Sequence, residues 1–472
     1  MPPADAATSD RGRARLSAAI LGVVYTAAMM AYSLLWNDVV HGHGWWRPPG
    51  DIWVVTRAAS FVQNGALGYI YSSVKGFFAL PLIAIVLAPA MALCDRVGLV
   101  SGAPYPVPHP TQWLVVGPAL YLCGIPVLHA GRRLAHHLGA RRQLLGVQLA
   151  LVAVVLVPLG LWGHPEDLLA VACTMYAIRR VLRGEWDGAA LWFALAIGMK
   201  QWSVLAIPFV AVRVPEGRRA RFLACSLGPA VALAAFPLVV DWRHASQALV
   251  FQRTPLTNTF GHRSPLVALF GARASLVGRG TVLLAAPTLA VLTRRRTDPA
   301  ALLACLCVIF IARAFLEPLF FGYYLAPGLG LLIVLGAAAE RRWWLTAAVV
   351  VPWVIWSLQF GGPTGPWWGL ELTGLVIVSA YAAWLAVGSS LPPVAKTSQV
   401  GRPTAVTQDV SGASDTARTH QGGGDAAPHG AQSTTTSARE WRSGRHLRRS
   451  RSGQVHQAGS HAPLLTKERD KW

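Results

Sequence analysis

The chain is predicted to be an all-α, polytopic integral membrane protein of about 12 transmembrane helices followed by a disordered tail. Three observations predict this class. Hydrophobic residues make up 53% of the 472 positions and charged residues only 13%, with a mean hydropathy of +0.42, a balance that does not suit a water-soluble domain. Long apolar runs recur through the first 390 positions, each suited to crossing a hydrocarbon core of roughly 30 Å as a helix. Period-2 alternation is missing, which excludes a closed barrel.

The first run, 16–36, follows Arg11, Arg13 and Arg15. It is too long for a signal-peptide core and lacks a small-residue cleavage site, so it reads as a retained anchor behind a cytoplasmic N-terminus, 1–15. Further runs cover 77–93, 113–130, 144–162, 168–182, 188–212, 222–240, 280–293, 299–316, 319–339, 343–359 and 368–388. An even number of crossings puts both termini on one side. The blocks Arg218-Arg219-Arg221, Arg294-Arg295-Arg296 and Arg341-Arg342 then share a face, which the positive-inside rule makes cytoplasmic. The expected location is the plasma membrane, multi-pass, with both termini cytoplasmic.

Simple counting places Arg132, Arg133, Arg141, Arg142 and the Arg179-Arg180-Arg183 group on the opposite face. The conflict disappears if 77–100 dips in and returns, and if 188–212 is a hairpin of two short helices with Lys200 at its outer apex. Gly198, Lys200 and Pro208 interrupt that segment, and broken helices are tolerated where they line a protein-enclosed cavity. Both versions agree from residue 213 onward.

The membrane domain spans 16–389, with two long outer loops. Loop 37–76 carries Asp38, His41, His43, Trp45, Trp46 and Asp51, then Ile52, Val55, Ala59 and Val62 at helical spacing, which suggests a helix lying in the interface. Loop 241–279 carries Asp241, Arg243, His244, Arg253, His262 and Arg263. Residues 390–472 are rich in Ser, Thr, Gly, Gln, His and Arg and bury too little to fold. This basic cytoplasmic tail either meets anionic headgroups through Arg442, Arg445, Arg448, Arg449 and Arg451 or is merely solvated. The net charge of +21 follows the loop pattern of a membrane protein, so no nucleic acid partner is expected. Six cysteines without CxxC spacing read as core residues, neither disulfides nor metal ligands.

Asp51 sits between a Pro-Pro-Gly turn and an apolar-faced helix. It is either a helix N-cap or a general base at the membrane surface. Lys200 is costly in an apolar run unless it pairs, snorkels or faces a polar cavity; it marks a hairpin apex or meets a lipid-linked phosphate, with Gln201 and Trp202 adding a hydrogen bond and a stacking face. His164, Glu166 and Asp167 around Pro165 are ordinary helix-start chemistry, and with no second His at ligand spacing no metal site is expected. Arg313 and Glu317, one turn apart, suggest an intrahelical pair. Tyr323 and Tyr324 belong to an interfacial belt or line the enclosed cavity. No Walker motif, GxSxG or HExxH is present.

Gly50-Asp51-Ile52-Trp53, Arg57-Ala58-Ala59, Gly65 and Tyr69-Ile70-Tyr71, followed by a Pro-containing apolar helix, form a pattern. With Leu191 to Pro208 around Gly198-Met199-Lys200-Gln201-Trp202, Gly163-His164-Pro165-Glu166-Asp167, and Glu317-Pro318 before Tyr323-Tyr324-Leu325-Ala326-Pro327, the pattern resembles the polyprenol-phosphate-dependent glycosyltransferases of the GT-C type. Specifically, it is similar to the actinobacterial family 87 mannosyltransferase-like proteins, over roughly 16–390. Trp53 and Val54 stand where many relatives carry a tyrosine. The resemblance implies that Asp51 deprotonates an acceptor hydroxyl and that a sugar, mannose by analogy, leaves a polyprenyl-phosphate donor with inversion. Lys200, Gln201, Arg253, His262 and Arg263 would hold donor phosphate and sugar. His164, Glu166, Asp167, Arg313, Glu317, Tyr323 and Tyr324 would line the cavity. The partners implied are membrane lipid, the lipid-linked donor as substrate and a glycolipid or glycan acceptor; no cofactor is implied, and oligomeric state is not readable. The rival expectations are a transporter or flippase for a lipid-linked or small solute, and a scaffold acting through the basic tail.

Overall fold

In the computed structural model, described over residues 4–41, 51–74, 76–98, 110–249, 262–339 and 365–387, nearly every element is helical. Helix α1 (Ala4–His41) carries the first apolar run as one unbroken segment. Helices α2 (Ile52–Gln63), α3 (Ile70–Ser73) and α4 (Leu82–Arg96) follow. The sequence suggested that α2 lies in the membrane interface. Its apolar residues Ile52, Val55 and Ala59 are buried, with α4 packed against the helix. With 15 residues, α4 is about 22 Å long, shorter than a hydrocarbon core.

Helices α5 (Pro110–Leu122) and α6 (Gly124–His137) form one long apolar segment, Trp113–His137. Helices α7 (Leu144–Leu151) and α8 (Val157–Trp162) form another, Arg141–Trp162, joined by a π-helical turn at Val152–Leu156. Pro158, with no N–H to complete the ladder, lies just beyond that turn. Helices α9 (Pro165–Val181) and α10 (Trp186–Met199) pack closely as an antiparallel pair. At Lys200 the backbone becomes extended, with φ −149 and ψ 125. A 3₁₀ stretch, Gln201–Ala206, and α11 (Ile207–Ala211) then lead the chain back.

The remaining elements are α12 (Glu216–Val240), α13 (Trp242–Leu249), β1 (His262–Arg263), α14 (Pro265–Phe270), α15 (Ala274–Leu292), α16 (Pro299–Leu316), β2 (Leu319–Phe320), α17 (Ala326–Ala338) and α18 (Gly365–Val387). Among the described residues, six helices are long and apolar enough to cross a membrane. Shorter apolar helices at 186–199, 201–211, 322–338 and 369–385 accompany them. The chain is therefore a membrane-embedded helical protein. The run 343–359 and the basic tail 390–472 fall outside the described residues.

The two ends of the bundle differ chemically. At one end Arg132 of α6 donates to Ser17 of α1 (3.0 Å) and Gln148 of α7 (3.4 Å), while Arg180 and Arg183 share Glu185. The feet of the Lys200 hairpin stand at this end too. Asp187 pairs with Arg221 (3.1 Å), and Arg213 donates to the carbonyl of Arg296 (2.9 Å). The basic blocks that simple counting split between two faces thus share one end. Lys200 is the apex of the hairpin, at the other. Segment 77–98 keeps to that second end: Gln201 donates to the Phe78 carbonyl (2.7 Å), and Gln63 donates to Asp95.

Candidate functional site

The site is organised by the reversal between α8 and α9. Gly163 adopts the left-handed conformation (φ 79, ψ 43) that ends α8, a conformation that glycine enters without a Cβ clash. The His164 amide then donates back to the Leu159 carbonyl (2.9 Å). Pro165 opens α9 at a position where a missing N–H costs nothing, so Glu166 and Asp167 project from the first turn. The Asp51 amide donates to the Trp162 carbonyl (3.1 Å). The end of α8 therefore holds both the start of α2 and the start of α9.

Asp51 precedes α2 but does not cap it: its backbone is near-helical and its carboxylate accepts no first-turn N–H. The carboxylate turns instead to His164, with Oδ2 3.2 Å from Nε2. Their surroundings differ sharply, since the Asp51 side chain is 49% exposed and that of His164 only 8%. The contact is an ion pair and not an aligned hydrogen bond, because Nε2 makes no well-directed bond. On the far side of the ring, Nδ1 lies 2.8 Å from Glu166 Oε1.

Lys200 completes the chain of charges. Its Nζ donates to Glu166 Oε1 (2.9 Å) and lies 3.1 Å from Asp167 Oδ2. Trp202 Nε1 donates to Asp167 Oδ1 at 2.6 Å. The lysine, expensive alone in an apolar hairpin, meets two acids that would be equally expensive alone. Burial disfavours a charged His164, but the Glu166 carboxylate and the contacts to Asp51 and Glu166 outweigh both burial and the opposing Lys200. The imidazole pKa is pushed up to about 9.

Aromatic side chains wall the pair. The Tyr323 ring lies 4.5 Å from the imidazole, and Trp162 packs edge-on against Phe321 and tilted against Tyr323. Beyond Tyr324, whose ring sits 4.8 Å under the Arg313 guanidinium, a second charged group completes the site. Glu317 pairs with Arg313 (3.1 Å), as the one-turn spacing predicts, and with Arg279 of α15 (3.4 Å). Lys200, Arg279, Arg313 and a protonated His164 are thus balanced by Asp51, Glu166, Asp167 and Glu317.

The other expected donor-binding residues are distributed unevenly. Gln201 spends its amide on the Phe78 carbonyl. His262 and Arg263 lie on β1, paired with Phe320 and Leu319 of β2, so their backbone runs beside β2, between Glu317 and Phe321; their side chains, and all of Arg253, lie outside the described residues. His164, Glu166 and Asp167 offer one imidazole and two carboxylates whose atoms lie within 4.8 Å of one another. That donor set is of the right kind for a divalent ion, but Lys200 already supplies a cation to both acids.

One contact, Asp51 to His164, and three residues, Arg279, Trp162 and Phe321, escaped sequence reasoning. The tie between Asp51 and His164 joins positions far apart in sequence and has no spacing signal. Arg279 sat at the edge of an apolar run; the signal that could have found it was Gly278 and Gly280 flanking it, since small residues permit close helix approach. No protein-family model matches the chain, and no curated protein matches it.

Proposed function

We propose that the chain is a membrane glycosyltransferase that moves a sugar, mannose by the resemblance of its motifs, from a polyprenyl-phosphate donor to a glycolipid or glycan acceptor. In this reading twelve helices cross the plasma membrane, both termini are cytoplasmic and the Asp51 end faces outward. One observation carries it: a half-exposed carboxylate, Asp51, held by a buried imidazole at the end of an apolar helical bundle. Asp51 accepts the proton of the acceptor hydroxyl as that oxygen attacks the anomeric carbon from the face opposite the lipid phosphate. The C–O bond to phosphate breaks, its electron pair leaves with the phosphate, and the configuration inverts. His164, charged and tied to Glu166, orients the carboxylate. The Trp162, Phe321 and Tyr323 rings offer apolar faces on which a sugar ring can lie.

The charge balance supports a division of labour among the cations. Lys200 is already engaged by two acids, so its first task is to hold Glu166 and Asp167; a donor phosphate would draw on it by displacing one of them, or on Arg279 and Arg313. A general base supplies about 10²- to 10⁴-fold. Membranes carrying Asp51→Asn should therefore transfer radiolabelled mannose from polyprenyl-phosphate mannose to an envelope lipid extract about a hundredfold more slowly than wild type. Equal rates from correctly inserted protein would rule the proposal out.

A second reading, solute transport, draws on a separate observation. The charged residues come from both halves of the chain, and Glu371 of α18 is buried at 2% exposure with neither carboxylate oxygen hydrogen-bonded. Proton-coupled uptake into vesicles that is lost in Glu371→Gln, with no sugar transfer by wild type, would favour it.

A further inference from the structure

The arginine-bearing end, opposite Asp51, contains polar groups that the proposed reaction does not use. Gln148 of α7 is fully buried (0% exposed). Its Oε1 accepts from Arg132 (3.4 Å), which fixes the orientation of the amide, and its Nε2 is buried without a partner. His129 of α6 contacts the Tyr176 hydroxyl through Nδ1 (2.6 Å), and its Nε2 is likewise buried without a partner. When Tyr176 donates to Nδ1, Nε2 of the neutral ring carries the proton. Two buried donors are then left unmatched, which is unfavourable for each.

His129 lies among cations, and Gln148 beside one of them, Arg132. Arg133, Arg15, Arg179 and Arg132 all act electrostatically on the His129 ring, and Arg179 in turn feels Arg133, Arg183 and Arg180, offset in part by the single carboxylate of Glu185. Orientation in a membrane requires basic loops, but it does not require buried amide and imidazole donors beside them. An oxyanion accounts for both. Its oxygens would accept from the unmatched N–H groups while its charge lowers the repulsion among the guanidinium groups. Basic pockets between helices at the membrane surface suit phosphate headgroups in this way.

We propose that the arginine-bearing ends of α1, α6, α7 and α9 form a phosphate-binding site, served by Gln148 Nε2, His129 Nε2 and Arg179. The inference does not depend on the glycosyltransferase reading, since the site lies at the other end of α9. The ligand class is a phosphate monoester or diester, from an anionic phospholipid or from a soluble phosphate.

The test uses the full-length purified protein and its thermal midpoint. One arm compares phosphatidylglycerol with phosphatidylcholine nanodiscs; the other adds inorganic phosphate to detergent-solubilised protein. Stabilisation of wild type by phosphatidylglycerol alone identifies a lipid headgroup, and stabilisation by inorganic phosphate identifies a soluble ligand. Either supports the site, provided that Gln148→Leu and Arg179→Gln each weaken the response by about tenfold in half-saturating concentration, the loss expected for one charge-assisted contact. Gln148→Leu keeps every charge, so orientation signals are intact and the unliganded protein should remain folded. The proposal is overturned if neither anion shifts wild type, or if either Gln148→Leu or Arg179→Gln responds as wild type does.

Discussion

His164 shows how one residue converts an expensive location into a usable one. A buried imidazolium is unfavourable, yet Glu166 at 2.8 Å and Asp51 at 3.2 Å raise its pKa to about 9, against about 6.5 in an unfolded chain. Because the folded value is the higher one, the stabilisation is fully present below pH 6.5 and fades as pH rises through 9. The apparent melting temperature of wild type should fall across that window, and His164→Gln should lack this step; parallel curves for the two proteins would refute the assignment. At this scale the sequence identified the participants better than the partnerships. Asp51, Lys200, Arg313 and Glu317 stood out as charges in apolar surroundings, and the one-turn spacing of the last two foretold their pair. The Glu166–Lys200 and Asp51–His164 contacts depend on which helices become neighbours, which spacing along one segment does not encode.

At the scale of elements, the site depends on how closely α15 approaches α16. A Cβ added at Gly278 would run into the backbone carbonyl of Leu316, whereas nothing lies within 4 Å of one added at Gly280. Backbone cannot yield as a side-chain end can, so Gly278→Ala must push α15 outward and pull Arg279 away from Glu317. Gly278→Ala should lower stability by about 1–3 kcal/mol, read as a drop in thermal midpoint, while Gly280→Ala should leave it unchanged or raised, since alanine is the better helix former. Equal behaviour of the two variants would show that the approach is not tight. Punctuation explains which elements could be anticipated. Gly163 followed by Pro165 marks the α8–α9 reversal, and Gly198, Lys200 and Pro208 mark the hairpin. For α2 the apolar spacing announced a helix with a covered face, but not that α4 would be the cover.

At the scale of the whole molecule, the apolar exterior and the separation of charge are consequences of one solvent. Helix α12 exposes Val231, Phe236 and Val239, and α15 exposes Leu276, Leu283 and Leu284, apolar surface that water would penalise and hydrocarbon would not. Confined by that belt, charged groups can gather only at the two ends: Asp51, His164 and Lys200 at one, and the arginine clusters at the other. The arginine blocks at 132–133 and 179–183, which a simple count of apolar runs assigned to the wrong face, join Arg15 once Lys200 is an apex and 77–98 stays at one end. This arrangement makes a sidedness prediction independent of any enzymatic assay. Arg142 follows α6 at the arginine end, Asn64 follows α2 at the Asp51 end, and both are exposed. In a background with the exposed Cys225 changed to Ser, a membrane-impermeant maleimide added to intact cells should label Asn64→Cys but not Arg142→Cys. Inverted membrane vesicles should give the reverse. Labelling of both from the same face would mean that the two ends do not lie on opposite sides of the bilayer, and Asp51 would then lose its place as an outward-facing base.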